Sequence, residues 1–417
     1  AAAGMTAQAM LDVLQRYSKY PLPPNIRRDI PEIVSRFGRV RLEKDEPDLR
    51  LVCPDRPLLE ELAHHPAVRP YLGERLSPIA FRVPAAHRGV IKQALISVGY
   101  PAEDLAGYTP GAFLDIRLRD TCRSGPPFHL RGYQKEAAEI FYAGGDVRGG
   151  SGVIVLPCGA GKTIVGLAVM ALLQRQTLVL TTSISAVKQW RRELLDKTTL
   201  SEDQIAEYTG ESKDLGPVTL ATYNILTYRP EKSEEFPHFR IFDQQDWGLI
   251  IYDEVHLLPA PVFRITAQIQ ARRRLGLTAT LVREDGREAD VFTLIGPKKY
   301  DVPWRELEAQ GWIAEAQCCE IRLRLPEELR MEYALAEPRQ KYRLASENPA
   351  KLDIVAKLLA RHAEDQVLII GQYLSQLRQI RDRFDIPLIT GSTPTSERER
   401  LYQDFRERRI PRLVLSK

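Results

Sequence analysis

With 417 residues, of which 44% are hydrophobic and 27% charged, the chain has the composition of an ordinary globular protein with room for about two to four domains. No apolar run approaches the roughly 18 residues that span a membrane, and no secretory signal is visible, so a membrane protein is excluded and a cytoplasmic one is expected. The net charge of +4 is too small to argue for a nucleic-acid partner. The five cysteines show no C-x-x-C spacing, so neither zinc nor disulfides are predicted.

The N-terminal residues 1–43 are predicted to form a helical extension. Residues 1–4 precede a methionine and are interpreted as a cloning remnant. The segment Ala7–Tyr20 has apolar residues at helical spacing and ends at prolines, and a second helix is predicted over Asn25–Phe37. The pattern indicates a small helical subdomain.

Three further segments are predicted from the alternation of strands and helices. Residues 44–119 have short strands and helices between proline-rich turns, which favours a compact α+β module whose last strand is Phe113–Leu118. Residues 120–305 alternate longer apolar strands with helices, the pattern of an α/β fold with a doubly wound parallel sheet. Residues 306–417 begin a second unit of the same kind.

A strand, a turn of small residues and a Lys-Thr pair follow one another within residues 120–305. The strand residues Val153–Leu156 are apolar, Cys158–Gly161 form the turn, and Lys162-Thr163 open an apolar helix. This order is typical of a phosphate-binding loop. Leu156 occupies the position of the usual first glycine, so a tight strand–helix turn with a surface lysine is the alternative interpretation.

The residue types of this turn suit a nucleotide. The small residues Gly159, Ala160 and Gly161 let backbone N–H groups converge on phosphate oxygens, and the following helix adds the positive end of its dipole. Lys162 can reach the β- and γ-phosphates, and the hydroxyl of Thr163 can bind Mg²⁺.

An acidic pair follows a second apolar strand, Asp246–Tyr252. Asp253 and Glu254 follow it, at the strand end where open α/β sheets bind ligands. Asp253 can hold Mg²⁺ and Glu254 can deprotonate an attacking water, whereas a surface acidic pair that caps a helix is the alternative. With the phosphate loop, the pair predicts an ATP or GTP hydrolase. Gln134 carries an amide that can read the donor and acceptor edge of adenine, or is an ordinary helix surface residue.

Hydroxyl groups end several of the predicted strands. Because the carboxyl ends of parallel strands meet at one edge, we expect four threonines to lie along the ligand-binding edge. They are Thr182, Thr222, Thr278 and Thr280.

The C-terminal segment is predicted to be an unfinished Rossmann-like unit. It contains a strand at Cys318–Leu325, a long helix over Glu327–Ser346, a buried strand at Gln366–Ile370 and a last strand at Arg412–Leu415. Since nothing follows that last strand, we expect it near the sheet edge and interpret the chain as truncated within the second unit.

Taken together, the motifs resemble those of superfamily 2 helicases, and more specifically those of the XPB family. The motifs, in order, are Leu130-Arg-Gly-Tyr-Gln134, Leu156-Pro-Cys-Gly-Ala-Gly-Lys-Thr163, Asp253-Glu-Val-His256, Gly276-Leu-Thr-Ala-Thr-Leu-Val-Arg-Glu-Asp285 and Leu294-Ile-Gly-Pro-Lys298. The resemblance covers residues from about 120 to the end and suggests a bacterial or archaeal member. It implies two RecA-like lobes, the second incomplete, and an ATP- and Mg²⁺-dependent duplex-DNA translocase or 3′–5′ helicase acting in DNA repair. Residues 44–119 would be a damage-recognition-like module.

The resemblance also implies roles for individual residues at the nucleotide. Arg131 and Gln134 would contact the base or ribose. The phosphates would be held by Gly159, Gly161, Lys162 and Thr163. Asp253 and Glu254 would take Mg²⁺ and water, and with Lys162 would form the catalytic set.

Residues after the acidic pair are implied to connect hydrolysis with DNA. His256, Thr278 and Thr280 would couple hydrolysis to movement. The triplet Arg283, Glu284 and Asp285 resembles the Arg-Glu-Asp motif of the family's DNA-opening element, although from its residues alone it is a charged loop with solvated salt bridges.

The family pattern continues beyond Ser416-Lys417 into a DNA-sensing motif and an arginine finger, so weak ATP hydrolysis is expected of this chain. The implied partner is duplex or forked DNA, and the implied protein is a nucleoid-associated monomer. The alternative function is a nucleotide-gated DNA-binding scaffold for a nuclease partner.

Overall fold

The computed structural model divides the chain into two compact units, Ala1–Glu315 and Ala316–Lys417, whereas the sequence predicts a division after residue 305. The described residues are 5–229, 236–242, 244–268, 272–280 and 288–416. Among these residues, no helix combines the length and the apolar character needed to cross a membrane.

The first unit begins with two exposed helices and a small mixed sheet. The helices are α1 (Ala7–Tyr17) and α2 (Pro24–Arg36). The next elements are β1 (Arg41–Asp45), β2 (Asp48–Val52), α3 (Arg56–His64), β3 (Arg75–Ser77), β4 (Ala80–Val83), α4 (Arg88–Ser97) and β5 (Glu103–Asp104), with the strand order β3-β4-β2-β1-β5. Strands β1 and β2 pair antiparallel with Leu42 opposite Leu51, both fully buried, so one hairpin spans the predicted boundary at residue 43.

The rest of the first unit is a parallel sheet with helices on both faces. Its elements are α5 (Gly132–Tyr142), β6 (Ser151–Val155), α6 (Lys162–Leu173), β7 (Thr177–Thr181), α7 (Ile184–Lys197), β8 (Ile205–Tyr208), β9 (Val218–Thr222), α8 (Tyr223–Leu226), β10 (Leu249–Asp253), α9 (Ala260–Gln268), β11 (Arg273–Thr278), α10 (Glu288–Leu294), β12 (Lys298–Asp301) and α11 (Trp304–Ala309). Seven strands follow the order β12-β6-β11-β10-β7-β9-β8, and every pair is parallel. The predicted α/β fold with a doubly wound sheet is confirmed, although β8 and β12 were not predicted.

Alternate residues of the central strands pack on opposite faces of this sheet. Ile154 and Val179 belong to the core formed with α5, α6 and α7, whereas Val153 and Leu178 belong to the core formed with α9 and α10. Because both faces are covered, the strands must be apolar throughout, which is why they are continuous apolar runs in the sequence.

The register places the carboxyl ends of three neighbouring strands side by side. Asp253 at the end of β10 pairs with Leu277 of β11, and Thr278 of β11 pairs with Val155 at the end of β6. The phosphate loop follows β6 directly. The predicted nucleotide motifs therefore meet at one edge of the sheet, where doubly wound folds bind ligands.

A buried ion cluster joins the N-terminal sheet to the parallel sheet. Helix α4 packs against α9 and α10. Two residues of α4 bind Asp104 of β5: Asp104 accepts hydrogen bonds from Arg88 Nη2 at 2.8 Å and from Lys92 Nζ at 3.0 Å, and the three side chains are largely shielded from solvent. Burial alone would raise the pKa of Asp104, but the charges of Lys92 and Arg88 outweigh it and hold that pKa well below its usual range.

Two strands predicted from the sequence are wrong. Phe113–Leu118 forms isolated bridges to Arg175 and Thr198 in the loops beside α6 and α7, and makes no ladder. Cys318–Leu325, which lies wholly within the described residues, is an exposed segment without strand pairing. In both cases the alternation of apolar residues is present, but no neighbouring strand is available to pair with it.

The second unit is a three-stranded parallel sheet with helices. Its elements are α12 (Glu327–Leu335), α13 (Pro338–Ser346), α14 (Ala350–Arg361), β13 (Val367–Gly371), α15 (Leu374–Phe384), β14 (Leu388–Ile389), α16 (Thr395–Arg406) and β15 (Arg412–Ser416), with the strand order β13-β15-β14. The last strand is thus central, so the prediction that it lies near the edge is wrong.

The long helix predicted before Ser346 is broken, because Pro338 favours the extended conformation seen at Glu337 (ψ 156°). Strand β13 exposes Leu368 and Ile370, so the prediction of a buried strand at Gln366–Ile370 is wrong for the face that carries them.

Candidate nucleotide-binding and hydrolysis site

The phosphate loop is shaped by two glycines in the left-handed region of backbone conformation. Gly159 has φ 82° and Gly161 has φ 80°, a conformation that side chains with a Cβ rarely adopt. A Cβ on Gly161 would also lie 2.6 Å from Gln134 Nε2. Helix α6 begins at Lys162 without a capping side chain, so its first N–H groups point towards any anion held by the loop.

The underside of the loop is fixed by residues of α5. The carbonyl of Ala160 accepts hydrogen bonds from Tyr133 Oη at 2.7 Å and from Gln134 Nε2 at 3.0 Å. The amide oxygen of Gln134 accepts from the backbone N–H of Arg131 at 3.0 Å, and the side chain is buried. Gln134 therefore positions the phosphate loop, and its predicted contact with adenine stays a prediction.

A cation and an aromatic ring lie beside the loop. The guanidinium of Arg131 sits 4.6 Å from the ring centre of Trp312 and donates to Tyr133 Oη at 3.0 Å. The next residue along the chain, Ile313, has a methyl group 3.8 Å from the position that a Cβ on Gly159 would occupy. This arrangement keeps Arg131 next to the predicted nucleotide, while its contact with the base or ribose remains a prediction.

The acidic pair meets the phosphate loop through an ion pair. Lys162 Nζ lies 3.2 Å from Glu254 Oε1, and both side chains are mostly buried. Glu254 adopts a left-handed backbone conformation with φ 49°, which is strained for a residue with a long side chain. Within the described part of the chain, Glu254 Oε2 is buried without a hydrogen-bond partner. Such an oxygen is suited to accept a hydrogen bond from a bound water.

Asp253 is held by three neutral donors. Its Oδ2 accepts from Trp190 Nε1 at 2.8 Å, its Oδ1 accepts from the backbone N–H of Glu254 at 3.0 Å, and its main-chain carbonyl accepts from Tyr223 Oη at 2.9 Å. Burial raises the pKa of Asp253, and these donors offset that effect only in part. Burial and the nearby charge of Asp253 raise the pKa of Tyr223 well above its ordinary value, so its hydroxyl remains a donor.

A hydrogen-bonded bridge connects the acidic motif to the next strand. His256 Nδ1 lies 2.8 Å from Thr278 Oγ1. The Thr278 hydroxyl donates to the carbonyl of Thr280, so it accepts from the histidine, which places the proton on Nδ1. The structure thus brings together the three residues predicted to couple hydrolysis to movement. The predicted DNA-opening residues Arg283, Glu284 and Asp285 lie outside the described residues.

Comparisons with known proteins identify the family. Three domain families match: type III restriction enzyme, res subunit, over residues 127–283; helicase conserved C-terminal domain over residues 1–77; and ERCC3/RAD25/XPB C-terminal helicase over residues 307–417. The DNA 3'-5' helicase XPB of Mycobacterium tuberculosis is 49% identical over 417 residues, which cover 100% of this chain and 74% of that protein. The chain belongs to the XPB family of DNA helicases.

The XPB helicase of Kineococcus radiotolerans is 50% identical over 417 residues, covering 100% of this chain and 73% of that protein. A subunit of Encephalitozoon cuniculi, named general transcription and DNA repair factor IIH helicase/translocase subunit XPB, is 30% identical over 412 residues, covering 96% of this chain and 60% of that protein.

The residues at this edge of the XPB-family fold fit Mg²⁺ and a nucleoside triphosphate. Mg²⁺ prefers oxygen ligands, and proteins supply one or two of them while phosphates and water supply the rest. Asp253 and the hydroxyl of Thr163, the second residue of α6, carry oxygens of this kind. The glycine cradle leaves room for phosphate oxygens, and Glu254 Oε2, which lies 3.4 Å from His256 Nδ1, has no hydrogen-bond partner among the described residues.

Three residues of this XPB-family site were missed by reasoning from the sequence as functional groups. They are Tyr133, Trp190 and Tyr223, each buried and each bonded to the loop or to Asp253. A buried tryptophan or tyrosine needs a partner for its polar atom, so their presence near the motifs was a signal. The partner could not be named, because it is distant in sequence.

Proposed function

We propose that this XPB-family chain binds ATP with Mg²⁺, hydrolyses it, and uses the reaction to move along duplex or forked DNA as a 3′–5′ helicase or translocase in DNA repair. The observation that carries the proposal is the 3.2 Å approach of Lys162 to Glu254, which joins the phosphate loop to the acidic motif at one sheet edge. The names of the relatives support the DNA substrate and the repair role.

Each residue has a stated task in this proposal. Lys162 and the N–H groups at the start of α6 bind the phosphates, and Gly159 and Gly161 leave space for them. Thr163 and Asp253 hold Mg²⁺, which offsets negative charge on the phosphates. Glu254 takes the proton of the attacking water through the oxygen that has no hydrogen-bond partner among the described residues.

The coupling to DNA is proposed to run through residues that follow the strands. His256, Thr278 and Thr280 form one hydrogen-bonded chain between β10 and β11, so a change at the γ-phosphate reaches the end of the neighbouring strand. The proposed contacts to the DNA backbone are Thr182, which follows β7, and Thr222, which ends β9. Sequence-independent phosphate contacts suit a motor, which must move over any sequence.

The experiment is a triplex-displacement assay, in which a translocating protein strips a short third strand from a duplex. We expect ATP-dependent displacement by the chain, weak or strong, that the Glu254→Gln variant cannot perform although it still binds ATP. Lys92→Arg, a change at the N-terminal junction that preserves charge, serves as a matched control. Displacement without ATP, or displacement that survives in Glu254→Gln, contradicts the proposal.

A further inference from the structure

Two buried aromatic residues reach Asp253 from elements that belong to neither nucleotide motif. Trp190 lies on α7, which follows β7, and donates its indole N–H to Asp253 Oδ2 at 2.8 Å. Tyr223 is the first residue after β9 and donates its hydroxyl to the Asp253 carbonyl at 2.9 Å. One donor holds the side chain and the other holds the main chain of the same residue.

The packing of Trp190 leaves its ring little freedom. Its side chain is fully buried, and a Cβ on Gly166 of α6 would lie 2.4 Å from the ring. The indole therefore packs tightly against α6, the helix that follows the phosphate loop, while its N–H donates to Asp253. A displacement of α7 cannot be absorbed by a rotation of the ring and must reach the carboxylate, since tight interiors transmit strain.

The sheet order separates the strand ends into two groups. The ends of β6, β11 and β10 carry the nucleotide motifs, whereas β7 and β9 lie on the other side of β10. Their ends carry the caps of the following helices: Ser183 accepts from the N–H of Ala186, and Thr222 accepts from the N–H of Ile225. These caps fix α7 and α8 rigidly to the strand ends, so the two aromatic residues move with those ends.

We propose that Trp190 and Tyr223 are positioning residues. When DNA binds at the ends of β7 and β9, these two residues change the orientation of Asp253. The proposal rests on the proposed function, because it needs DNA at those ends and Mg²⁺ with a nucleotide at Asp253. Both donors are neutral, so they set the orientation of the aspartate without neutralising its charge. A shift of either donor changes how the carboxylate faces the cation site.

The test measures binding, independently of turnover. The affinity for a fluorescent ATP analogue with Mg²⁺ is determined with and without duplex DNA, and the ratio of the two affinities gives the coupling between the sites. Trp190→Phe and Tyr223→Phe each remove one donor while keeping an aromatic ring. Two matched controls remove equivalent buried donors elsewhere: Trp247, whose N–H donates to the Ile241 carbonyl at 2.7 Å, and Tyr208, whose hydroxyl lies 2.8 Å from a histidine nitrogen.

For the wild-type chain we expect DNA to change the nucleotide affinity by about 5- to 150-fold, the usual range of coupling between two sites. In Trp190→Phe and Tyr223→Phe, measured at saturating Mg²⁺, we expect that ratio to fall towards one. Because Trp190 orients a metal ligand, Trp190→Phe should also raise the Mg²⁺ concentration needed for half-maximal nucleotide binding by about 10- to 100-fold. The Trp247→Phe and Tyr208→Phe variants should keep the wild-type ratio.

Two results overturn the proposal alone: a wild-type ratio preserved in both Trp190→Phe and Tyr223→Phe, or an equal loss in the two controls. A wild-type ratio of one overturns the proposed function, and the positioning proposal with it. Circular dichroism checks the fold of each variant, and if Trp190→Phe does not fold, Tyr223→Phe with its control carries the test.

Discussion

Two largely buried aspartates of the first unit are held in opposite ways. Asp104, at the junction between the two sheets, faces an arginine at 2.8 Å and a lysine at 3.0 Å. Asp253, at the nucleotide edge, accepts from an indole N–H and a backbone N–H, which are neutral donors. Burial raises the pKa of both carboxylates. At Asp104 the charges of Lys92 and Arg88 outweigh burial and the pKa is lowered, whereas at Asp253 the indole and backbone donors and the charge of Lys162 offset burial only in part and the pKa is raised.

The difference supports the proposal that Asp104 stabilises the fold whereas Asp253 binds a ligand. Balanced by two cations, Asp104 can hold two sheets together but has no charge left for a ligand. Asp253 is oriented by donors that leave its charge in place, and an unbalanced buried carboxylate attracts a cation. Burial alone therefore does not identify a metal ligand, whereas the chemical type of its partners does.

The largest expected effect is on the hydrolysis step beside Asp253. Replacing Glu254 by glutamine removes the group that takes the proton from water, so we expect a loss of about 10²- to 10⁴-fold in turnover. ATP binding should remain, since glutamine keeps the size of the side chain. Steady-state turnover and nucleotide titration measure the two quantities separately, and an equal loss of both would show that Glu254 is structural.

The next effect is on the free energy of unfolding. Asp104→Ala leaves Arg88 and Lys92 buried without their counter-ion, which we expect to cost about 3–5 kcal/mol. Asp253→Ala removes a charge that faces no directly bonded cation, so its cost should be smaller, by about 2 kcal/mol. Denaturant unfolding of both variants provides the comparison. The reverse order would contradict the distinction between the two aspartates.

A ligand should stabilise the protein through one aspartate only. Mg²⁺ and ATP at about 100 times their dissociation constant should add about 2.7 kcal/mol to the wild-type free energy of unfolding. We expect Asp253→Asn to lose most of that gain and Asp104→Asn to retain it. Thermal melting with ATP, with and without EDTA, measures the gain, and a full gain in Asp253→Asn would remove Asp253 from the metal site.

The smallest effect is on the pH dependence of stability. The folded pKa of Asp104 lies below its unfolded value of about 3.9, so its contribution is full above that pH and is lost as the pH falls towards the folded pKa. The folded pKa of Asp253 is raised, so protonation there favours the folded state as the pH falls. Relative to the wild type, Asp104→Asn should flatten the loss of stability on acidification below about pH 4, and Asp253→Asn should steepen the loss above about pH 4, where the folded carboxyl is protonated before the unfolded one. Melting temperatures from pH 3 to 7 would show both slopes.

The sequence predicts the parallel sheet well, because strands buried on both faces must be continuous apolar runs. Residues 153–155 and 249–252 are such runs, and the loop and acidic motif follow them as predicted. The run at Val367–Gly371 has the same composition but is covered on one face, since coverage depends on helices that a strand's own residues do not specify. The contacts of Trp190 and Tyr223 with Asp253 could not be predicted from the sequence either, because they join residues 63 and 30 positions apart.

The central claim is that ATP hydrolysis at this edge serves movement on DNA, and the most direct test is ATP turnover by the chain as a function of duplex DNA concentration, beside Lys162→Ala. We expect turnover, however weak, to rise as DNA is added and to vanish in Lys162→Ala at every DNA concentration. ATP turnover that does not change with DNA concentration, or that persists in Lys162→Ala, would contradict the account.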